Sequence, residues 1–361
     1  MKRKNLERAV LLGIVLSVGM YGSALAEELS LEEFKSKANS ENIVTVEQDT
    51  IVNGDPNELT FEDPDKNHIK DIIVKVDSGK VSFNNVNMTN SNILGIGNII
   101  VNNNAPNKTV SGLEATTNKN SIIKGKNVQI ISSGSGADAY GGLLTIDIDG
   151  ELNINSDGIG IHAQEDGENP NAASNVNVNA DRLIINSINR GIYLTNADVK
   201  QNIIVELKNG AQIISTGYEA GIQNSNSLNG ELRIATEKGN IAISGGYAGA
   251  WVTYGSITNI SSDSNNISSS RYGILNNTNS DKNGYAQITV TAKTGDNNIT
   301  GVNTGIRNDG GSVFLKSQEN GNKVSSNGNA IYTSGKAIVD LKAAVDNVLN
   351  AGGDDYGTAS T

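Results

Sequence analysis

Apolar and polar residues alternate along this chain in short runs, and the runs recur. Ile146-Asp147-Ile148-Asp149 shows the two-residue period of a strand with one buried face, isoleucines inward and aspartates outward. Similar runs end in a Ser/Asn/Gly turn at Leu152-Asn153-Ile154-Asn155-Ser156, Leu183-Ile184-Ile185-Asn186-Ser187, Gln212-Ile213-Ile214-Ser215, Ile241-Ala242-Ile243-Ser244, Asn266-Ile267-Ser268, Asn298-Ile299-Thr300 and Lys323-Val324-Ser325. Each is followed by a Gly-Ile-like step: Gly160-Ile161, Gly191-Ile192, Gly221-Ile222, Ala250-Trp251, Gly273-Ile274, Gly305-Ile306 and Ala330-Ile331. The spacings are 31, 30, 29, 23, 32 and 25 residues. A further strand precedes most units, as in Val176-Asn177-Val178, Ile203 to Lys208, Leu232-Arg233-Ile234, Ile288-Thr289-Val290 and Val313-Phe314-Leu315, and Ile338-Val339-Asp340-Leu341 opens another unit.

Three strands of about five residues with three turns use somewhat under 30 residues. One unit is therefore one coil of a solenoid, each strand pairing with its counterparts a coil above and below at about 4.8 Å. The predicted fold is all-β: a right-handed parallel β-helix with three-strand coils of about 23–32 residues, the handedness taken from known folds of this type. Glycine and asparagine are assigned to turns, where left-handed backbone angles suit them.

Residues 50–139 fit the same scheme less regularly, with strands expected at Asp71 to Val76, Lys80 to Asn84, Ile99 to Val101 and Val128 to Ser132, and with landmarks at Gly112-Leu113 and Gly142-Leu143. Before them, Ser30-Leu31-Glu32-Glu33 is a capping box that opens a short helix through Phe34 and Lys35. With the strand Ile43-Val44-Thr45-Val46, that helix is the expected cap on the first coil, since a bare solenoid end templates aggregation. The division is 1–26 signal peptide, 27–60 N-terminal cap and 61–361 β-helix, the last expected to be truncated or uncapped where the chain stops at Thr361.

The leader consists of basic Lys2, Arg3, Lys4 and Arg8, an apolar run from Ala9 to Met20 and the small-x-small step Ala24-Leu25-Ala26. Its apolar run is too short to span a bilayer, which needs about 20 residues. Cleavage after Ala26 would remove those four bases and Glu7, taking the formal charge from −11 to −14. So acidic a product repels phosphate backbones, and nucleic-acid binding is not expected. There are no cysteines, so burial and hydrogen bonds alone hold the fold. With four phenylalanines and one tryptophan, the core is thin and built from β-branched residues.

The signal sequence, the acidic Asn/Gly/Ser-rich coils, the lack of cysteine and the strand-turn-Gly-Ile units together resemble the passenger regions of bacterial autotransporters and related adhesins, over roughly residues 60–357. The resemblance implies a surface or secreted binding scaffold at the outer membrane, with a host or neighbouring-cell surface protein or glycan as partner. Such passengers are followed by an outer-membrane barrel. No such strand pattern appears here, so a separate or missing translocator is implied.

The alternatives are a polysaccharide lyase or hydrolase on the same fold and a purely structural stalk. Hydrolysis needs two facing carboxylates at about 5 to 9.5 Å. Asp147 and Asp149, two apart on one strand at roughly 7 Å, are the formal candidates, though outward acids are common in so acidic a chain. His68 and His162 have no second ligand at metal spacing, and His162 should point outward from the third strand. Gly134-Ser135-Gly136-Ala137-Asp138-Ala139-Tyr140 matches half of a calcium-binding nonapeptide, but in a single copy. Tyr193, Tyr218, Tyr247, Tyr254, Tyr272, Tyr285 and Tyr332 could line a carbohydrate- or protein-binding stripe or stack within the solenoid. The expectation is a non-enzymatic scaffold with no catalytic, cofactor or metal residues.

Overall fold

The computed structural model describes residues 26–56, 68–69, 72–105, 109–195, 197, 199–226, 229–277 and 285–352. The expected leader through Leu25 lies outside the described residues, as does Asp71. The chain is a right-handed parallel β-solenoid with three sheets. Among the described residues the first sheet has 12 strands, the second 13 and the third 9, and each coil from the start of the third sheet onward visits them in that order. One coil, for example, runs through Leu143–Ile148, Glu151–Ser156 and Ile161–Gln164.

Alternation sets the inward faces. In the first sheet Ile146, Val178, Val205, Ile234, Ile260, Val290 and Leu315 follow one another in register, coil upon coil, all essentially inaccessible. Burying one such side chain is worth about 1.5–3 kcal/mol. Repetition of such rows builds one continuous hydrophobic interior along the stack.

The landmark glycines have a different cause from the one expected. A Cβ on Gly160 would sit 2.3 Å from Cγ2 of Ile185, and one on Gly191 would sit 2.3 Å from Cγ2 of Ile213. In each case the β-branched residue of the next coil's second-sheet strand fills the space a side chain would take. Left-handed backbone occurs elsewhere, for example at Gly210 (φ 108°) and Asn118 (φ 55°), so the turn explanation holds for those positions and not for the landmarks.

Two landmarks need correction. Ala250, and not Trp251, pairs with Ile222 and Ile274, so the true step is Gly249-Ala250 and Trp251 turns outward. Leu143 opens a first-sheet strand, and the third-sheet strand of the preceding coil is Ala137–Tyr140, after Gly136.

The third sheet begins only at Leu113–Thr116. In the first coil the helix Leu31–Ser36 follows the second-sheet strand Glu27–Ser30. Its capping box is complete: Glu33 N–H donates to Ser30 Oγ at 3.2 Å and Ser30 N–H donates to Glu33 Oε2 at 2.8 Å. That backbone bond holds the Glu33 carboxyl below its ordinary range. Leu31 and Phe34 are buried, and Phe34 meets Phe83 edge-on at 5.7 Å, closing the hydrophobic interior. The sheets already start in this segment, for Ile43–Val46 joins the first sheet and Thr50–Asn53 the second. At the other end, Ala337–Ala343 and Asn347–Ala351 form the last described strands, with Val339, Leu341 and Leu349 partly buried.

Candidate binding face on the third sheet

Inward residues of the third-sheet strands belong to the core, as Ile161 and Ala163 do, so the residue between them faces outward. Register places Glu114, Asp138, His162, Tyr193, Gln223, Trp251, Leu275, Arg307 and Tyr332 on successive coils at that one outward position. Elsewhere an outward row should be solvated. Here Asp138, His162, Gln223 and Leu275 are each about 6% exposed or less.

At the N-terminal end of the row lies an acid–imidazole cluster. His162 Nδ1 approaches Asp138 Oδ2 at 3.4 Å, and Gln164 Nε2 donates to both Asp138 oxygens at 3.1 and 2.9 Å. The His162 ring stacks on Tyr193 at 5.3 Å and 7° between planes. Glu114, next to Asp138, is pushed up to about 7, first by burial and then by the Asp138 charge. The segment after Gln164 is tied back to this face, Gly167 N–H donating to the Tyr140 hydroxyl at 3.2 Å. Asp138 of the nonapeptide-like segment thus has its oxygens engaged by His162 and Gln164. Among the described residues no group of three or more His, Asp or Glu side chains is placed to hold a metal ion.

In the middle of the row a half-open groove of about 390 Å³ is lined by Tyr193, Gln223, Ser225, Trp251, Thr253, Tyr254 and Asn277. Its floor is fixed. Arg190 Nε donates to Gln223 Oε1 at 2.6 Å while Gln223 Nε2 donates to Ser225 Oγ at 2.9 Å. Arg190 also pairs with Glu219 at 2.9 Å and lies 4.4 Å over the Tyr193 ring, so its charge is neutralised at the groove wall. Trp251 is steadied by Tyr247 at 5.2 Å, within an outer apolar cluster that includes Ala248, Tyr272 and Leu275. Trp251 Nε1 and Thr253 Oγ1 are buried without a hydrogen-bond partner.

Beyond the groove is an arginine–tyrosine corner. Arg271 lies 4.9 Å from the Tyr247 ring and 5.1 Å from Tyr272, and its Nη1 donates to the Tyr218 hydroxyl at 3.0 Å. Arg307 bonds Asp309 at 2.6 Å and the Tyr272 hydroxyl at 3.1 Å. Of the tyrosines expected in a stripe, Tyr193 and Tyr254 line the groove, Tyr218, Tyr247 and Tyr272 build the corner, Tyr332 lies near Arg307, and Tyr285 is exposed.

Asp147 and Asp149 do not form a facing pair. Asp147 is outward on the first sheet, held by Lys124 at 3.0 Å and by Asn179 Nδ2 at 3.0 Å, whereas Asp149 lies past the strand end in a turn. His68 is buried in an early coil, its Nε2 against the Thr89 carbonyl. His162 does turn outward as expected, but into a buried cluster and not into solvent. Sequence reasoning passed over Asp138, Gln223 and Trp251 as members of one row. The signal was available in the residue that follows each corrected Gly-apolar step. No family model matches the chain, and neither the curated proteins nor the solved structures contain a match.

Proposed function

We propose that this chain is an exported, adhesin-like scaffold that binds a surface protein or glycan of a host or neighbouring cell through the outward face of its third sheet. The observation that carries this is the outward row of large polar and aromatic residues, partly withdrawn from solvent and flanking a groove. The rest of the solenoid supplies length and a rigid frame, since paired strands hold neighbouring coils at fixed spacing. Export is supported by the leader, and the passenger-like role by the texture of the coils.

The scaffold is proposed to bind without turnover. A polysaccharide-acting reading draws on one observation, the raised carboxyl of Glu114 beside Asp138, because glycosidases keep one carboxylic acid protonated near neutral pH. Against it, the Asp138 carboxylate is already engaged by His162 and Gln164, and the groove itself has no carboxylate in its lining. Incubating the purified chain with acidic and neutral polysaccharides separates the two. Cell or matrix binding with no new reducing ends or unsaturated products is expected. Release abolished by Glu114→Gln or Asp138→Asn would replace the scaffold with an enzyme.

A further inference from the structure

We propose that the groove between Tyr193 and Trp251 is a subsite for a neutral pyranose unit of a glycan, an inference that rests on the third sheet being the binding face. The class of ligand follows from the lining, which holds two tyrosines, one tryptophan, two side-chain amides and two hydroxyls, and no ionisable carboxylate or amine. The nearest guanidinium, Arg190, is committed to Glu219 and Gln223. A uronate, sulfate or phosphate would therefore meet no free counter-charge. A cationic ligand would lose its hydration without a carboxylate in return.

What the lining offers matches the two sides of a sugar ring. Tyr193 and Trp251 stand two coils apart in the row, about 10 Å at the spacing of paired strands, with Gln223 as the floor between them. The Tyr193 ring is covered by His162 and Arg190, so Trp251 and the exposed Tyr254 supply the ring surface for the C–H side of a pyranose, and the exposed Asn277 presents an amide at the rim. The volume, about 390 Å³, falls at the small end of ligand sites and suits a mono- or disaccharide unit. A peptide added as an extra strand is a poor fit, because the third-sheet strands bordering the groove are paired on both sides and offer no free edge.

Trp251 is the single tryptophan of the chain, so intrinsic fluorescence reports directly on this groove. The full chain is titrated with cellotetraose, maltotetraose, mannotetraose and lacto-N-tetraose, and with tetragalacturonate for comparison, while binding to whole cells and extracellular matrix is measured in parallel. The expected result is a saturable change in Trp251 emission with at least one neutral oligosaccharide, and a response to tetragalacturonate at least tenfold weaker. Asn277→Ala and Tyr254→Ala, at exposed lining residues, should each weaken the neutral sugar roughly tenfold, which corresponds to about 1.4 kcal/mol. Asn298→Ala on the second sheet should leave binding unchanged. Unaltered far-ultraviolet circular dichroism confirms that the variants are folded, and Trp251→Ala, followed by calorimetry, tests the indole ring.

Cell or matrix binding with no fluorescence response to any of the four neutral sugars would overturn the pyranose subsite and leave the scaffold standing. A preference for tetragalacturonate would overturn the ligand class. Absence of both sugar and cell or matrix binding would overturn the scaffold as well.

Discussion

At the residue scale, two buried polar groups test the reading of the coils most sharply. In the second sheet the inward position held by Leu152, Leu183, Ala211 and Ile241 passes in register to Asn265, and then to Asn297, Asn322 and Asn347. The amides form a chain, each donating to the next at 2.8 Å, and Asn297 also donates to the Lys316 carbonyl at 2.9 Å. An asparagine in an alternating strand reads from sequence as outward, and so the ladder was illegible; only the stacked register shows that Asn297 and Asn322 each have an amide partner above and below. Asn297→Ala should destabilise by about 2–3 kcal/mol, because it strands amides on both sides. The outward Asn298→Ala should cost under about 0.5 kcal/mol. Denaturant melts compare the two, and equal losses would remove the ladder from the account.

Glu114 sets a second test at this scale. Its folded carboxyl, at about 7 against an ordinary 4.5, retains a proton that the unfolded chain releases as pH rises. Between those values the native state binds more protons than the unfolded one, so this group's contribution is most favourable below about pH 4.5 and is lost as pH rises through 7. The facing groups are the Asp138 carboxylate and, one coil further, the His162 imidazole. Glu114→Gln should abolish that loss, so the variant should gain up to about 3 kcal/mol relative to wild type between pH 4.5 and 8. Melts of both proteins at each pH read the difference, and a pH-independent gap would show that the carboxyl titrates normally.

At the scale of the strand, alternation was readable because one face of every strand enters a common interior. Glu231–Thr236 is an example: Leu232 and Ile234 are fully buried, while Arg233 is outward and pairs with Glu206 at 3.1 Å. Ile234→Asp places a carboxylate between Val205 and Ile260 and should destabilise by several kcal/mol. Arg233→Asp loses a surface ion pair and should cost about 0.5–1 kcal/mol. Urea melts decide the order, and the reverse order would mean the register is wrong. What alternation cannot supply is the alignment between coils when small residues surround a landmark. Ala248-Gly249-Ala250 allowed a slip of one residue, and in a strand a slip of one exchanges the two faces. That single shift concealed Trp251 from the outward row and with it the groove. The landmark glycines were visible as a period, but their cause, the close approach of an isoleucine methyl from the next coil, depends on contacts about 25 residues away.

At the scale of the molecule, the build of the first coil bears on the proposed leader cleavage. Glu27–Ser30 pairs with Thr50–Asn53, Glu27 N–H donates to the Asp49 carbonyl at 2.8 Å, and Ser30 caps the helix that covers the interior. Cleavage within this strand would remove second-sheet hydrogen bonds and the capping box together, and the loss of an N-cap alone costs about 0.5–2 kcal/mol. Cleavage after Ala26 leaves every one of these groups in place. The cut after Ala26 is proposed from the small side chains of the Ala24-Leu25-Ala26 step, which suit a peptidase, and it spares the described pairing of Glu27–Ser30 with Thr50–Asn53. N-terminal sequencing of the protein recovered from the producing cells should read Glu27-Glu28-Leu29. A chain beginning at Met1 and retained with the inner membrane would mean that the apolar run from Ala9 to Met20 acts as an anchor. The third sheet would then be presented from a tethered protein and not from a released one.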